Sequence, residues 1–440
     1  MPDSRLFKFC LGLIAIMFLS RVSFAEDIRK DDEGLGRNLY SRLQEEGFTG
    51  FLRTDYFSSD KASNDKTDFS GLTAQLKILP RFSDKIDSRF EARAYNFDIS
   101  HYNNDNSVSE LLEGLAIFRF ENSDLSVGKQ IITWGRADGV NPTDNLSPKN
   151  YTLLLPEESD RKTGVTSLKY DYYFSPELTA TFFYSPFFEP NKVPFAFPSF
   201  IQPSEKKPAY NIENSEAAFR LNKIGSDLDW SVSYFNGFDL TPEVRYLETN
   251  GGKRLIEITN HRIQVLGADF AKNYGRYGFR GEAAYILTED MDGNYPYIKN
   301  PNLYYVLGGD RTFIETLNIN LQFIGRYVFK YSDVEKIQNQ AERSIYIKNA
   351  TFNGELDEIQ YSMSGRVDYK LFNETLDMEV FGVWNFNRND YFIRPIVRYA
   401  FTDSLKGTIG GEFYEVDENR TFFGFLKKNN TIFMELKYGF

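Results

Sequence analysis

Read in twos back from its C-terminus, the chain separates into two faces. Phe440, Tyr438, Leu436, Met434 and Ile432 are apolar, while Gly439, Lys437, Glu435, Phe433 and Thr431 are mostly polar or small. A period of two over ten residues is a strand with one apolar and one wet face. It matches the length of about 9–11 residues that a tilted strand needs to cross a bilayer. The alternation recurs upstream in Leu317/Ile319/Leu321/Phe323, in Tyr361/Met363/Gly365/Val367/Tyr369 and in Leu376/Met378/Val380/Gly382/Trp384. Between these apolar positions sit Asn318, Asn320 and Gln322, Ser362, Ser364 and Arg366, and Asp377 and Glu379.

In all, the pattern predicts eighteen strands. They begin near Phe48, Leu72, Phe90, Leu112, Leu125, Val165, Leu178, Ala217, Leu228, Ile263, Tyr277, Leu303, Leu317, Tyr361, Leu376, Tyr391, Leu405 and Ile432. Sixteen stays open, because 303–313 alternates weakly. Connections after even strands include the turn-like ENSD (121–124), FSPE (174–177), LFNE (371–374) and FTDS (401–404). Asn, Asp, Ser and Pro set such turns. Those after odd strands are generally longer and polar: 58–68, 135–163, 185–213, 239–260 and 331–358. Short turns alternating with long loops is the pattern of a transmembrane barrel, and an even count puts both chain ends on the short-turn side. The expected fold is all-β, a closed antiparallel transmembrane β-barrel over residues 47–440, because lipid tolerates no unpaired strand edge.

Both ends of the chain agree. Arg5 and Lys8 precede an apolar run over 9–19, and Ser23, Phe24 and Ala25 form a cleavage-type ending. Residues 1–25 are therefore predicted to be a secretory signal peptide, too short to span a membrane as a helix. Residues 26–46 form a charged periplasmic lead-in with Leu35, Leu39 and Leu43 spaced by four. The terminal strand resembles the C-terminal strand of Gram-negative outer-membrane β-barrels. That resemblance implies that Phe440, with Tyr438 on the same face, serves recognition by the barrel-assembly machinery.

Composition narrows the picture. The chain has 28 Tyr and 41 Phe, enough for two interfacial aromatic girdles. Mean hydropathy is −0.45, and beyond residue 25 no run approaches 18 apolar residues. Polar interior positions dilute the average of a barrel in this way. Without Arg5, Lys8, Arg21 and Asp3 of the leader, 51 basic and 62 acidic residues become 48 and 61, a formal charge of −13. That excess argues against nucleic acid as a partner. The single cysteine, Cys10, lies in the leader, so the mature chain has no disulfide or thiol chemistry.

A barrel of sixteen to eighteen strands encloses a water-filled lumen. The parity opposite the apolar face assigns pore-lining candidates: Arg89, Glu91 and Arg93; Arg119, with Glu113; Arg280 and Glu282; Arg326; Arg366 and Asp368, with Lys370; Arg394 and Arg398; and Glu412, with Lys406. Two readings compete: a lattice of ion pairs that stiffens the barrel, or a selective polar conduit. Arginine outnumbers lysine here, and its fork suits carboxylate and phosphate. The parity around Lys129 is ambiguous, because it shares a face with Val127 and Ile131.

The most distinctive stretch is GKQIITWGRADGVNPTDNLSPKNY, residues 128–151. It leads into the third outer loop, 135–163, and the resemblance to porin-type barrels implies that this loop folds inward and narrows the channel. Its candidates are Arg136, Asp138, Asp144, Glu157, Glu158 and Arg161, together with Lys149 and Asp160. Asp138, Asn141 and Asp144 lack the spacing of a calcium loop, so no metal or other cofactor is expected. The wording GKQ…WGR…NP resembles a group of uncharacterised porin-like barrels and the alginate-export type of outer-membrane protein. The latter is an eighteen-strand barrel with an arginine-rich lumen. A hydrolase would need a His with a Ser or Asp partner, and only His101 and His261 exist. His101 has Ser100 and Asp105 nearby, a common loop composition, so the chain is not expected to be an enzyme.

The sequence therefore points to a passive, porin-like channel in the outer membrane for small polar or anionic solutes, surrounded by outer-membrane lipid. A structural or adhesive barrel and a polysaccharide-export channel are the alternatives. The solute, the direction of transport and homo-oligomer formation are left open.

Overall fold

The computed structural model describes residues 47–440 except 64–65, 98–106, 154, 156, 195–196 and 417–420. The expected leader, the lead-in and His101 lie outside the described residues. Eighteen wall strands take up the alternating segments. They are β1 (Phe48–Ser63), β2 (Lys66–Ile78), β3 (Ile86–Phe97), β4 (Ser107–Arg119), β5 (Ser123–Gln130) and β6 (Val165–Tyr173). Next come β7 (Leu178–Ser185), β8 (Glu216–Lys223), β9 (Asp229–Phe238), β10 (Arg262–Tyr274), β11 (Tyr277–Thr288) and β12 (Asn302–Ile314). The last six are β13 (Leu317–Val328), β14 (Ile359–Leu371), β15 (Leu376–Asn385), β16 (Asp390–Ala400), β17 (Leu405–Val416) and β18 (Thr431–Gly439). A three-residue strand, Arg81–Ser83, extends the β2–β3 turn.

Neighbours in sequence pair antiparallel, and β1 pairs with β18, so the sheet closes on itself. Closure satisfies every ladder group without water, which is what the interior of a bilayer demands. The seam runs in register from Phe51↔Gly439 to Ser59↔Thr431. Beyond the ladder, Gly50 N donates to Phe440 O at 2.9 Å and Phe440 N to Gly50 O at 3.0 Å. The Phe440 ring stacks on Phe48 at 6.2 Å. A Cβ on Gly50 would lie 2.8 Å from that ring, so glycine is what lets the terminal aromatic fold back over the seam.

The outer face is apolar. Leu72, Leu266, Leu307, Leu321, Ile409 and Met434 stand open around the whole wall. Tyr172, Tyr274 and Tyr399 mark the short-turn end, and Tyr285, Tyr361 and Trp384 the other. These are the lipid-facing band and aromatic girdles of an outer-membrane barrel. At Pro395 the alternation keeps its phase, since Ile393 and Val397 both stay on the outer face. Lys129 belongs to the outer parity at the top of short β5, where it pairs with Glu189 at 3.4 Å.

The loops depart from expectation in three places. Residues 58–68 are not a loop: β1 and β2 continue to Ser63 and from Lys66 as a ribbon beyond the apolar band. The stretch SSDKASNDKTD, residues 58–68, has almost no apolar residue, so the sequence carried no period-two signal. Segments 185–213 and 239–260 contribute Ile201–Lys206, Glu243–Asn250 and Lys253–Thr259 to a separate three-stranded sheet. Segment 331–358 holds helix α1 (Gln340–Asn353), N-capped by Asn339, whose side chain accepts from Ala341 N and Glu342 N. Val244, Ile256, Ile258, Ile345, Tyr346 and Ala350 bury against one another there. This small core forms an outer cap, touched by helix α2 (Phe422–Leu426) through Phe352–Phe425 ring stacking at 5.9 Å.

Deleting Phe440 is expected to lower the yield of heat-modifiable, folded protein in the outer membrane. Deleting residues 431–440 removes the seam partner of β1 and should abolish that form. Normal insertion of the longer deletion, seen as an unchanged mobility shift on heating, would contradict the β1–β18 closure.

Candidate functional site

Between β5 and β6 the chain leaves the wall at Gln130 and returns at Val165. Gly135 adopts φ +94°, and a Cβ there would sit 2.5 Å from the Glu282 carboxylate. Glu282, on β11, accepts from Arg136 N at 3.0 Å, Ala137 N at 3.2 Å and Thr143 N at 2.7 Å. Thr143 Oγ1 adds a fourth bond at 2.9 Å. One wall carboxylate thus holds the turn that the stretch GRADGVNPT makes. Its oxygens are consumed by the segment, although parity alone had assigned Glu282 to the lumen. Within the segment, Asp144 pairs with Lys162 and also accepts from Trp134 N at 3.3 Å. Among the described residues, no group of His, Cys, Asp and Glu is arranged to hold a metal.

The segment reaches strands far from its anchors. Arg136 pairs with Asp269 on β10 and bonds Asn222 on β8 at 2.6 Å. Asp138 pairs with Arg366 on β14 at 3.1 Å, and Gln322 on β13 bonds its backbone in both directions, at 3.1 and 2.6 Å. Glu157 meets Arg398 on β16 at 3.2 Å. Asp160 meets Arg53 on β1 at 2.7 Å, and its carbonyl accepts from Arg93 on β3. Glu158 stays local, 3.3 Å from Arg161 and 3.6 Å from Lys149.

The remaining charged groups turned away from the apolar band pair along the wall. Arg89 meets Glu113 at 3.1 Å, Arg93 meets Glu110 at 2.6 Å, and Arg119 meets Asp87 at 2.7 Å. Glu91 accepts from Gln75 at 2.6 Å. Arg280 pairs with Asp310, and Arg394 with Glu412 at 3.4 Å. Arg398 also reaches Asp377 at 3.3 Å and Glu379 at 3.1 Å. Asp368 shares the face of Arg366. Arg326 has a different task. It bonds the carbonyls of Asn353 and Gly354 at the C-terminus of α1, where a cation offsets the helix dipole.

Sequence reasoning missed Arg53 and Asp55 on β1. Both are buried, 3.4 Å apart, and Glu435 on β18 lies 3.6 Å from Arg53. Phe51 and Phe57 share their parity, which hid the pair in an apolar-looking face. The opposite residues Leu52, Thr54 and Tyr56 were the better signal.

Over the long-loop end, a knot of ionisable groups ties the cap to the wall. Lys299 pairs with Asp239, and its backbone N donates to Glu243 at 2.6 Å. His261 lies 2.9 Å from Glu289 and 3.7 Å from Glu243. Glu355 accepts from Asn300 N at 2.9 Å. Burial pushes Glu243 up to about 8 and Glu355 up to about 7. Burial works to lower His261, but Glu289 and Glu243 beside it prevail and hold its pKa above the usual value. Glu289 itself is held below the usual carboxylate range by His261.

Two outcomes follow from this geometry. Replacing Glu282 by Ala leaves buried backbone N–H groups unpaired at about 1–3 kcal/mol each. Hydrogen exchange across 135–145 should accelerate in that variant, and in Gly135→Ala, while the barrel stays heat-modifiable. Unchanged exchange would rule out Glu282 as the anchor. The second outcome concerns pH. Glu243, Glu355 and His261 bind protons more tightly folded than unfolded, so their contribution is complete below the unfolded values of 4.5 and 6.5. It is lost as pH rises through the folded values, near 7 to 8 for the two glutamates. Exchange of α1, corrected for base catalysis, should therefore quicken between about pH 5 and 8 and level off above, on the order of tenfold for each unit of pKa shift relieved. Glu243→Gln should flatten the profile, and an identical profile in that variant would contradict the assignment.

Neither a protein-family model nor a curated protein sequence matches the chain. Solved structures do. The fold is similar to that of OpdK from Pseudomonas aeruginosa, crystallised with vanillate, at a TM-score of 0.56 and 10% identity, over 89% of this chain and 98% of that one. OccK8 (OprE) of the same organism gives 0.55 at 9% identity, over 89% and 97%. OccAB4 of Acinetobacter baumannii gives 0.53 at 12% identity, over 89% and 97%. At such identities the likeness is one of fold. Taken with the closed eighteen-strand wall and its apolar outer band, it gives this chain the β-barrel fold of those porin-type outer-membrane proteins.

Proposed function

We propose that this protein is a passive outer-membrane channel for small polar or anionic solutes, with residues 135–163 as its constriction. One observation carries the reading. A segment anchored between adjacent strands β5 and β6 bonds to β10, β13, β14, β16 and β1, and a path linking those strands runs across the lumen. An eighteen-strand wall is too wide for its own side chains to fill, so discrimination needs an inserted segment. Arg53, Arg93, Arg366 and Arg398 meet acidic or carbonyl groups of that segment, and guanidinium forks suit oxygen-rich solutes. Since each of these arginines is already engaged, a solute carboxylate would compete with Asp138 or Glu157 for its partner. Selection would rest on exchange of partners, not on bare positive potential. At His261 the groups beside the ring nitrogens are glutamates, Glu289 at 2.9 Å from Nδ1 and Glu243 at 3.7 Å from Nε2.

The density of the same ion pairs favours a second reading, a structural or adhesive barrel whose lumen is plugged. Planar-bilayer recordings separate the two. Shortening residues 140–160 should raise single-channel conductance and weaken solute discrimination without preventing assembly. Replacing Arg366 and Arg398 by Glu should move the reversal potential toward cation preference. Unchanged conductance in the shortened protein would remove the constriction from 135–163. A protein that conducts nothing in either form would favour the plugged barrel.

A further inference from the structure

The lipid-facing rim at the short-turn end is uncharged around most of the wall. Ile78 on β2, Phe118 on β4, Leu178 on β7, Tyr369 on β14, Tyr399 on β16 and Tyr438 on β18 are representative. Along one arc the composition changes. The corresponding positions on β8, β10 and β12 are Lys223, Lys272 and Arg311. Their assignment to the outer face follows from the register. Lys223 lies opposite Trp230, Lys272 opposite Phe279 and Arg311 opposite Tyr277.

The three cations differ in what neutralises them. Lys272 has Asp227 at 3.0 Å, and Lys223 has Glu177 at 3.9 Å; both acids are exposed turn residues. Among the described residues, no acidic side chain lies at ion-pair distance from Arg311. Its chain neighbour Asp310 turns to the opposite face and pairs with Arg280. The Arg311 guanidinium is flanked by the Tyr277 ring at 4.7 Å and the Phe313 ring at 4.6 Å, and its buried Nε has no hydrogen-bond partner. Arg276, in the adjacent turn, donates to Phe313 O at 3.1 Å and is otherwise exposed. Two aromatic faces thus cover the guanidinium and leave its edge of N–H donors unmatched. That edge fits two oxygens of a phosphate. Beside it along the wall run Phe279, Leu307 and Leu266, all open to the membrane.

We propose that this arc binds the phosphate headgroup of an anionic glycerophospholipid, with Arg311 as the principal contact and Arg276 and Lys272 beside it. The acyl chains lie along the apolar band, which is what separates a lipid from a free phosphate as the occupant. An anionic headgroup is favoured because Arg311, Arg276 and Lys272 outnumber the acids of the adjoining turns, Asp227 and Glu315.

Native mass spectrometry of the folded barrel in detergent tests the assignment. The probes are phosphatidylglycerol, phosphatidylethanolamine with the same chains, and inorganic phosphate. Wild type should retain phosphatidylglycerol in preference to phosphatidylethanolamine. Arg311→Gln should lower its occupancy about fivefold, the effect of one interfacial cation. Arg311→Lys should restore part of it, and Lys272→Gln added to Arg311→Gln should lower it further. All variants should remain heat-modifiable, since the substitutions lie outside the seam and the inner lattice. Equal phosphatidylglycerol occupancy in wild type and Arg311→Gln would overturn the proposal. So would displacement of the lipid by millimolar inorganic phosphate, which would mark a simple anion site.

Discussion

A bilayer offers the backbone no hydrogen-bond partner, and everything else in this molecule follows from that. The sheet has to close, and it closes where β18 meets β1. Once closed, it has two faces and no edge. Parity then sorts the side chains: apolar ones outward, and nearly every charge inward, where charges of opposite sign meet across neighbouring strands. The eighteen-strand wall and its dense inner lattice are two results of one constraint.

The lattice also explains how the long segment 135–163 is held against strands far from its anchors. Burying an ion pair gains little on balance, but removing one member of it costs about 3–5 kcal/mol. Arg366 without Asp138 would lose its ion-pair partner, at a smaller cost because both are partly exposed, while Arg398 without Glu157 keeps Asp377 and Glu379. The wall and the segment therefore hold each other in place through complementary charge. Gly135 and Glu282 fix the starting angle. A side chain at 135 would displace the carboxylate that gathers the turn.

Most of the wall was legible in the sequence, because a half-buried strand writes its environment at every second residue. The turns were legible too: Phe372, Asn373 and Glu374 all take positive φ in the tight β14–β15 connection, and LFNE reads as a turn. Other features depend on partners distant in the chain. Parity puts Arg326 opposite the apolar face, yet nothing near it in the chain announces that it caps α1. Arg53 and Asp55 were hidden by Phe51 and Phe57. The outer cap escaped because its core joins residues from three loops, each too short to show a period of its own. The ribbon of β1 and β2 beyond the membrane escaped because residues 58–68 are almost without apolar side chains.

Arg53 has a consequence in time. Its partners arrive from three parts of the chain: Asp55 on its own strand, Asp160 from the inner segment, and Glu435 from the last strand made. A half-zipped sheet holds this guanidinium with one aspartate only. The guanidinium therefore has its full set of partners only when first strand has joined last and the segment from 135 to 163 is seated. A precursor that has not closed keeps an unmatched charge facing water, and so tells itself apart from the mature protein.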